Sequence, residues 1–128
     1  MQFTTIYTDA QGETHFGARD IAERVAPCGP PPNPTGRMAD FGNVSTMFVF
    51  CVPGGTDVPR HNAPQPYVCI VLSGELEVAA SDGETRRFAP GDLLLCEDLT
   101  GKGHATRTLT DAVAAFVNRA SIFDGENR

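Results

Sequence analysis

The stretch GTDVPRHNAPQPYVCIVLSG, residues 55–74, does most to decide the fold of this chain. It begins with a glycine, reaches His61 after five further residues, and continues through prolines into the apolar run YVCIVL before a Ser-Gly turn. A short apolar run bounded by turn residues is typical of a buried β-strand. The stretch therefore predicts a segment that carries a histidine, followed by a strand in the core.

A second stretch, FAPGDLLLCEDLTGKGH at residues 88–104, repeats this arrangement in part. A Pro-Gly-Asp turn precedes another apolar run, and a glycine-rich turn leads to His104. Two histidines from distant segments can thus point into one β structure.

Short extended segments recur on both sides of these stretches, with turn signals between them, as in a β-sandwich or barrel. The run at residues 45–52 is almost continuously β-branched and aromatic, and we expect it to be buried on both faces or nearly so. A helical turn is compatible with residues 20–25, and the Pro-rich residues 27–36 predict a loop rather than a linker to a second domain. The predicted strands are residues 3–8, 14–22, 45–52, 68–72, 75–78, 84–88, 92–97, 103–109 and 112–118, and residues 118–128 give no prediction.

Length and charge limit the classes of function. The chain has 128 residues, a net charge of −6 and a pI near 4.9. Phosphate binding needs a clustered basic face, so we expect neither a nucleic acid partner nor binding to an anionic membrane. No apolar run approaches the roughly 18 residues of a membrane helix, and the N-terminal residues lack a signal pattern, so we expect a cytoplasmic protein.

The cysteines are widely spaced, and no Cys-X-X-Cys motif occurs. Most of them sit inside apolar runs, where a free cysteine behaves as a small hydrophobic residue. This pattern favours reduced, structural thiols over two disulfides. The four residues are Cys28, Cys51, Cys69 and Cys96.

The two quoted stretches resemble the two motifs of the cupins. In the first motif Gly55, His61 and Gly74 are in register, whereas Ala63 and Tyr67 replace a histidine and a glutamate that bind metal in most cupins. The second motif keeps its turn and its histidine, with an interval two residues longer than usual. The sequence Thr-Gly-Lys-Gly-His before and at this histidine is similar to that of a group of small bacterial cupins.

This resemblance implies an all-β fold, a single cupin-type jelly-roll β-barrel or double-stranded β-helix. It implies one domain over residues 1–128, with the barrel core at about residues 44–118 and the N-terminal strands and Pro-rich loop at residues 1–43. Small cupins commonly dimerise through their N-terminal strands. The resemblance therefore also implies a homodimer, in which His15 has a structural role.

Three side chains are the predicted site. Because strand side chains alternate, His61 and Tyr67 fall at the pocket if their segments are extended, and the cupin register brings His104 to them. The resemblance to metal-free cupins assigns His61 as the base, Tyr67 as the acid or oxyanion donor, and His104 as the residue that orients substrate. Imidazole and phenol groups suit proton transfer near neutral pH. The set predicts a metal-independent isomerase, epimerase or dehydratase/lyase acting on a small polar metabolite.

Two alternatives stay open from the residues. A metal centre normally needs three or four protein ligands, and here only His61 and His104 offer imidazoles. A divalent ion (zinc, nickel, iron or manganese) would be held weakly, with water or Tyr67 completing its shell, in a metal-dependent oxygenase with an incomplete site. The other alternative is a barrel that binds a small-molecule ligand, as a sensor, without turnover. No further cofactor is predicted.

Four residues near the motifs are weaker candidates for substrate contact. They share a place in or beside the segments that carry the site: Gln65, Lys102, Cys69 and Arg60. Glu97 and Asp98 form a carboxylate pair beside the glycine-rich turn. Adjacent strand residues point to opposite faces, so we expect at most one of the two in the pocket.

Overall fold

The computed structural model describes residues 1–121. These residues form strands and turns and contain no helix, which confirms the predicted all-β class. The strands within the described residues are β1 (Gln2–Thr8), β2 (Thr14–Asp20), β3 (Glu23–Pro27), β4 (Thr35–Ala39), β5 (Val44–Val52), β6 (Asp57–His61), β7 (Tyr67–Ser73), β8 (Leu76–Ala80), β9 (Thr85–Phe88), β10 (Leu93–Cys96), β11 (His104–Thr108) and β12 (Ala112–Arg119). The residues from 122 onward, part of the tail without a prediction, lie outside the described part.

The strands form two main sheets. The six-stranded sheet has the order β2-β1-β10-β7-β12-β5, and the four-stranded sheet has the order β6-β11-β8-β9. Neighbouring strands are antiparallel except β1 and β10, which are parallel. The edge strands β5 and β6 belong to different sheets, and the space between them is the entrance to the cavity described below.

The main core lies between the two sheets, because alternate side chains of each sheet point inward. From the six-stranded sheet Cys69 and Val71 are buried, and from the four-stranded sheet Leu76 and Val78 are buried. The other buried members of this cluster are Ile6, Phe16, Ala63, Tyr67, Ala80, Phe88, Leu94, Cys96, Ala112 and Ala114.

A second, smaller cluster covers part of the outer face of the six-stranded sheet. Ile21, Val68 and Leu95 are buried there, with Phe3 and Phe41 packed edge to face against each other at a ring-centroid distance of 4.9 Å. On the same face, the Glu97 carboxylate accepts hydrogen bonds from three buried groups: Thr5 Oγ1 at 2.7 Å, Arg19 Nε at 2.9 Å and Arg119 Nη2 at 2.9 Å. These contacts tie β1, β2 and β12 to the end of β10.

The burial predicted for residues 45–52 is wrong. Strand β5 forms there, but Met47 is 64% exposed and Phe50 is 54% exposed. The reason is its place in the sheet: β5 is an edge strand, its inner side chains face an open cavity, and nothing in the described chain covers its outer ones. An apolar run predicts a strand, but it does not predict what covers that strand.

Two smaller predictions also need correction. The chain has a strand from Glu23 where a helical turn was compatible with the sequence. The Pro-rich segment is the connection of the β3–β4 hairpin, so residues 27 and 35–36 belong to strands and only residues 28–34 form the loop. This hairpin forms its own two-stranded sheet and contributes no side chain to the cavity described below.

All four cysteines lie in the described part of the chain, and each is a free thiol, as predicted. Cys69 and Cys96 are buried, whereas Cys28 and Cys51 are exposed. No helix in residues 1–121 has the length and apolar character needed to cross a membrane.

Candidate functional site

A cavity of about 380 Å³ opens between the edge strands β5 and β6. Its walls come from both sheets, so the fold itself creates the space. The lining residues are Phe50, Val52, Val58, His61, Tyr67, Leu76, His104, Thr106, Thr108, Ala112, Ala114 and Phe116. A shallower pocket adjoins it and shares four of these residues, with Phe48, Pro64, Gln65 and Asn118 completing its rim.

The two histidines of the sequence motifs face each other across neighbouring strands. His61 at the end of β6 pairs with His104 at the start of β11, and their ring centroids are 4.7 Å apart. Gly103 makes this approach possible. It has a φ of +72°, and a Cβ at this position would overlap the backbone carbonyl of His61. The glycine-rich turn therefore delivers His104 opposite His61.

Hydrogen bonds fix the tautomer of each ring. His61 Nδ1 lies 2.8 Å from the carbonyl oxygen of Pro59, and His104 Nδ1 lies 2.5 Å from Asp98 Oδ2. A carbonyl or a carboxylate oxygen accepts, so Nδ1 donates in both rings. Each neutral ring then keeps a lone pair on Nε2, where it can accept a proton.

The Tyr67 hydroxyl completes the set. It lies 3.4 Å from His104 Nε2, at long hydrogen-bond distance, on the first residue of β7. Burial raises the pKa of Tyr67 well above its ordinary value of about 10, so the phenol stays protonated at neutral pH. Its single proton is donated to His104 Nε2 here, and it can be donated instead to a substrate oxygen that lies within reach.

Asp98 is a site residue that the sequence analysis named only as one of a carboxylate pair, with no role at the site. It is fully buried, and its side chain accepts from His104 while its backbone carbonyl accepts from the Ala63 N–H at 3.1 Å. It thus holds both motif segments together. The neighbouring Glu97 points to the opposite face of the sheet, as strand alternation predicts. That alternation was the available signal, but it did not say which carboxylate faces inward.

The four weaker candidates lie in different places. Gln65 lies on the rim of the shallower pocket. Arg60 is exposed on β6, and Lys102 Nζ lies 3.2 Å from Glu13 Oε1 in an exposed ion pair. Cys69 belongs to the core cluster, where burial raises its pKa to about 11. Of the four, Gln65 alone lines either pocket described here; contact with substrate stays a prediction for all of them.

His15 lies in a separate polar cluster. Its imidazole is 2.6 Å from Asp9 Oδ2 and 2.8 Å from Asp82 Oδ2. The pKa of His15 is raised mainly by its hydrogen bond to Asp9 and, to a smaller extent, by its hydrogen bond to Asp82. The His15 contact lowers the pKa of Asp9, and a hydrogen bond from the Glu84 backbone N–H, followed by His15, lowers that of Asp82. The cluster joins the β1–β2 turn to the β8–β9 turn.

The donor atoms present do not fit a tightly held metal. Within residues 1–121 no group of three or more His, Cys, Asp or Glu side chains is arranged to bind an ion. At the cavity the imidazole donors are His61 and His104, and Ala63 has no donor atom. The Tyr67 phenol, whose pKa is raised, does not readily lose its proton to become a phenolate ligand. Cys96 beside Tyr67 is buried, which raises its pKa and disfavours a thiolate.

Aromatic side chains form one wall of the cavity. Phe116 stacks on Phe48 at a centroid distance of 5.4 Å, and it also contacts Phe50 and Tyr67 at 5.6 Å each. These rings continue from the shallower pocket to the Tyr67 hydroxyl. The wall offers an apolar surface that leads to the polar groups.

A family model described as a cupin domain matches residues 48–118, more than half of the chain. An RmlC-like cupin protein from Desulfovibrio desulfuricans has a similar structure, with a TM-score of 0.51 and 16% sequence identity over 80% of this chain and 84% of that one. A conserved protein of unknown function from Streptococcus pyogenes has a TM-score of 0.49 and 19% identity over 80% and 77% of the two chains. No curated protein matches the chain in sequence.

Proposed function

The chain belongs to the cupin family, and from this premise we propose that it is a metal-independent acid/base enzyme, an isomerase, epimerase or lyase acting on a small molecule. One observation carries the proposal: the Nε2 lone pairs of two tautomer-fixed imidazoles and a protonated phenol lie at one cavity. A cavity by itself suits many functions in this fold. This convergence is what favours proton transfer.

In the proposed reaction, His61 Nε2 takes a proton from a carbon beside a carbonyl group. The C–H electron pair becomes a carbon–carbon double bond, and the Tyr67 hydroxyl donates a hydrogen bond to the oxygen that gains negative charge. Return of the proton to another carbon gives an isomer, return to the opposite face gives an epimer, and loss of a neighbouring leaving group completes a lyase reaction. Before substrate binds, His104, held by Asp98, accepts from the Tyr67 hydroxyl and so positions it; the substrate oxygen then takes over that hydrogen bond.

A solvent-exchange experiment tests this proposal. A panel of carbonyl compounds is incubated with the protein in D₂O with excess chelator, and loss of the proton beside the carbonyl is followed by NMR. We expect exchange with the unaltered protein, a decrease of about 100- to 1,000-fold in Tyr67→Phe, and one of about 100- to 10,000-fold in His61→Gln. His15→Gln is the matched control, because it removes a histidine outside the cavity.

Exchange that requires an added metal would contradict the proposal in favour of the metal-dependent alternative. Saturable binding of a panel member without exchange would instead favour the ligand-binding barrel. The apolar cavity supports that second candidate equally well, since it needs no proton transfer.

We further propose that the protein is a homodimer formed through the outer face at β5 rather than through the N-terminal strands. Alternate residues of β5 on that face are apolar and exposed: Met47 is 64% exposed and Val49 is 50% exposed. An antiparallel edge strand can pair with its own copy about a two-fold axis, which would cover this apolar surface.

Light scattering tests the dimer. Val49→Lys should give a monomer, whereas Ala18→Lys, at an exposed position of the opposite edge strand β2, should leave a dimer. The reverse result would favour the N-terminal strands as the interface.

A further inference from the structure

We propose that the ligand of this cavity is a largely apolar carbonyl compound, with an aromatic or aliphatic body of one or two rings and one oxygen at the His61–Tyr67–His104 end. The inference deepens the proposed function and rests on it for the position of the reacting oxygen. It replaces the small polar metabolite that the sequence predicts.

The composition of the cavity wall supports an apolar body. Its lining side chains include phenylalanine, valine, leucine and alanine from four strands, and no Asp, Glu, Lys or Arg of residues 1–121 lines it. A phosphate or carboxylate substrate would need a cationic partner inside the site. Lys102, the single lysine of the chain, pairs with Glu13 instead. The wall therefore disfavours anionic sugars and organic acids.

The polar groups are concentrated at one end of the cavity. Along β11, the inward positions are His104, Thr106 and Thr108. At the far end the Thr108 hydroxyl is already engaged, since it donates to Pro53 O at 2.6 Å and accepts from the Thr56 N–H at 2.9 Å. A ligand oxygen thus finds three partners at the His104 end, and the rest of the ligand meets walls that are apolar except at Thr106.

The dimensions set the size of the ligand. The two ends of this row are four residue steps apart, which corresponds to about 13 Å along a strand. The cavity volume is about 380 Å³, near the lower limit for small-molecule sites. A body of one or two rings fits such a space, whereas an oligosaccharide exceeds it.

A pair of ketones tests the inference by isothermal titration calorimetry. The probes are 1-indanone, which carries an apolar bicyclic body, and dihydroxyacetone, which has the same reactive group with a polar body. We expect 1-indanone to bind about 100-fold more tightly, from the apolar surface that it buries. Phe50→Ala should weaken its binding roughly tenfold. Val25→Ala, on the exposed strand β3 outside the cavity, should not change it.

The outcomes separate the two proposals. Binding of 1-indanone without exchange of its protons for deuterium would support the ligand class and count against catalysis. Equal or tighter binding of dihydroxyacetone would overturn the ligand class even if exchange occurs. Equal effects of the Phe50 and Val25 substitutions would also overturn it, because the ketone would then not occupy this cavity.

Discussion

Glu97→Gln is the substitution for which the structure predicts the largest loss of stability. The Glu97 carboxylate accepts from Thr5, Arg19 and Arg119, and the side chains in both ion pairs are 0% exposed. A glutamine keeps one oxygen acceptor but places an NH₂ donor group among donors. Buried positive charge then loses the negative charge that balances it.

The magnitude follows from this burial. Removing one partner of a buried ion pair costs about 3–5 kcal/mol, out of the roughly 5–15 kcal/mol that stabilises a typical domain. For a chain of this size such a loss corresponds to a decrease in Tm of about 10–20 °C. The effect should extend to the site, because the next residue, Asp98, holds His104.

Urea unfolding followed by circular dichroism measures the change in free energy. Glu84→Gln is the matched control: it makes the same chemical change in an exposed ion pair with Arg86, where the expected loss is about 0–1 kcal/mol. Equal midpoints for the Glu97 and Glu84 variants would refute the reasoning, because the buried carboxylate would then contribute no more than an exposed one.

Two further predictions concern pH and thiol chemistry. Because the pKa of His15 is raised in the folded protein, its protonation stabilises the fold below about pH 6.5, and this stabilisation is lost as the pH rises through the raised value. The lowered pKa values of its partners Asp9 and Asp82 contribute stability above about pH 4. Urea midpoints should therefore decline toward pH 8 less in His15→Gln than in the unaltered protein, and parallel profiles would contradict this. With a thiol reagent, the exposed Cys28 should react at once. Cys69 and Cys96 should react only after unfolding, because they are buried and burial raises the pKa of each thiol. Immediate reaction of all thiols in the native protein would count against the described core.

The local pattern of the sequence predicts many of the strands but not their surroundings. The apolar runs that became β7 and β10 are bounded by turn residues, and both are strands as predicted. Strand β5 has the same local pattern, yet it lies at a sheet edge. The β3–β4 hairpin has no apolar run at all, since backbone pairing on an exposed hairpin needs no buried face.

The site depends on contacts between distant segments in the same way. The two motif histidines are recognisable from their spacing, but their pairing follows from the register of β6 with β11. Choosing Asp98 over Glu97 required the direction of each side chain at the end of β10. The apolar character of the cavity arises from strands that are far apart in the chain. The sequence alone does not show which of their side chains line one cavity, so it did not predict this character.

Nitrogen-15 NMR of the histidine rings, at a pH well above the ordinary imidazole pKa, tests the central claim most directly. The structure predicts that His104 carries its proton on Nδ1, hydrogen-bonded to Asp98, with Nε2 unprotonated and facing Tyr67. In Asp98→Asn this hydrogen-bonded proton signal should shift or disappear. A His104 ring protonated on Nε2 in the unaltered protein would contradict the claim, because the proposed acid/base set would then lack the lone pair that holds the tyrosine hydroxyl in place.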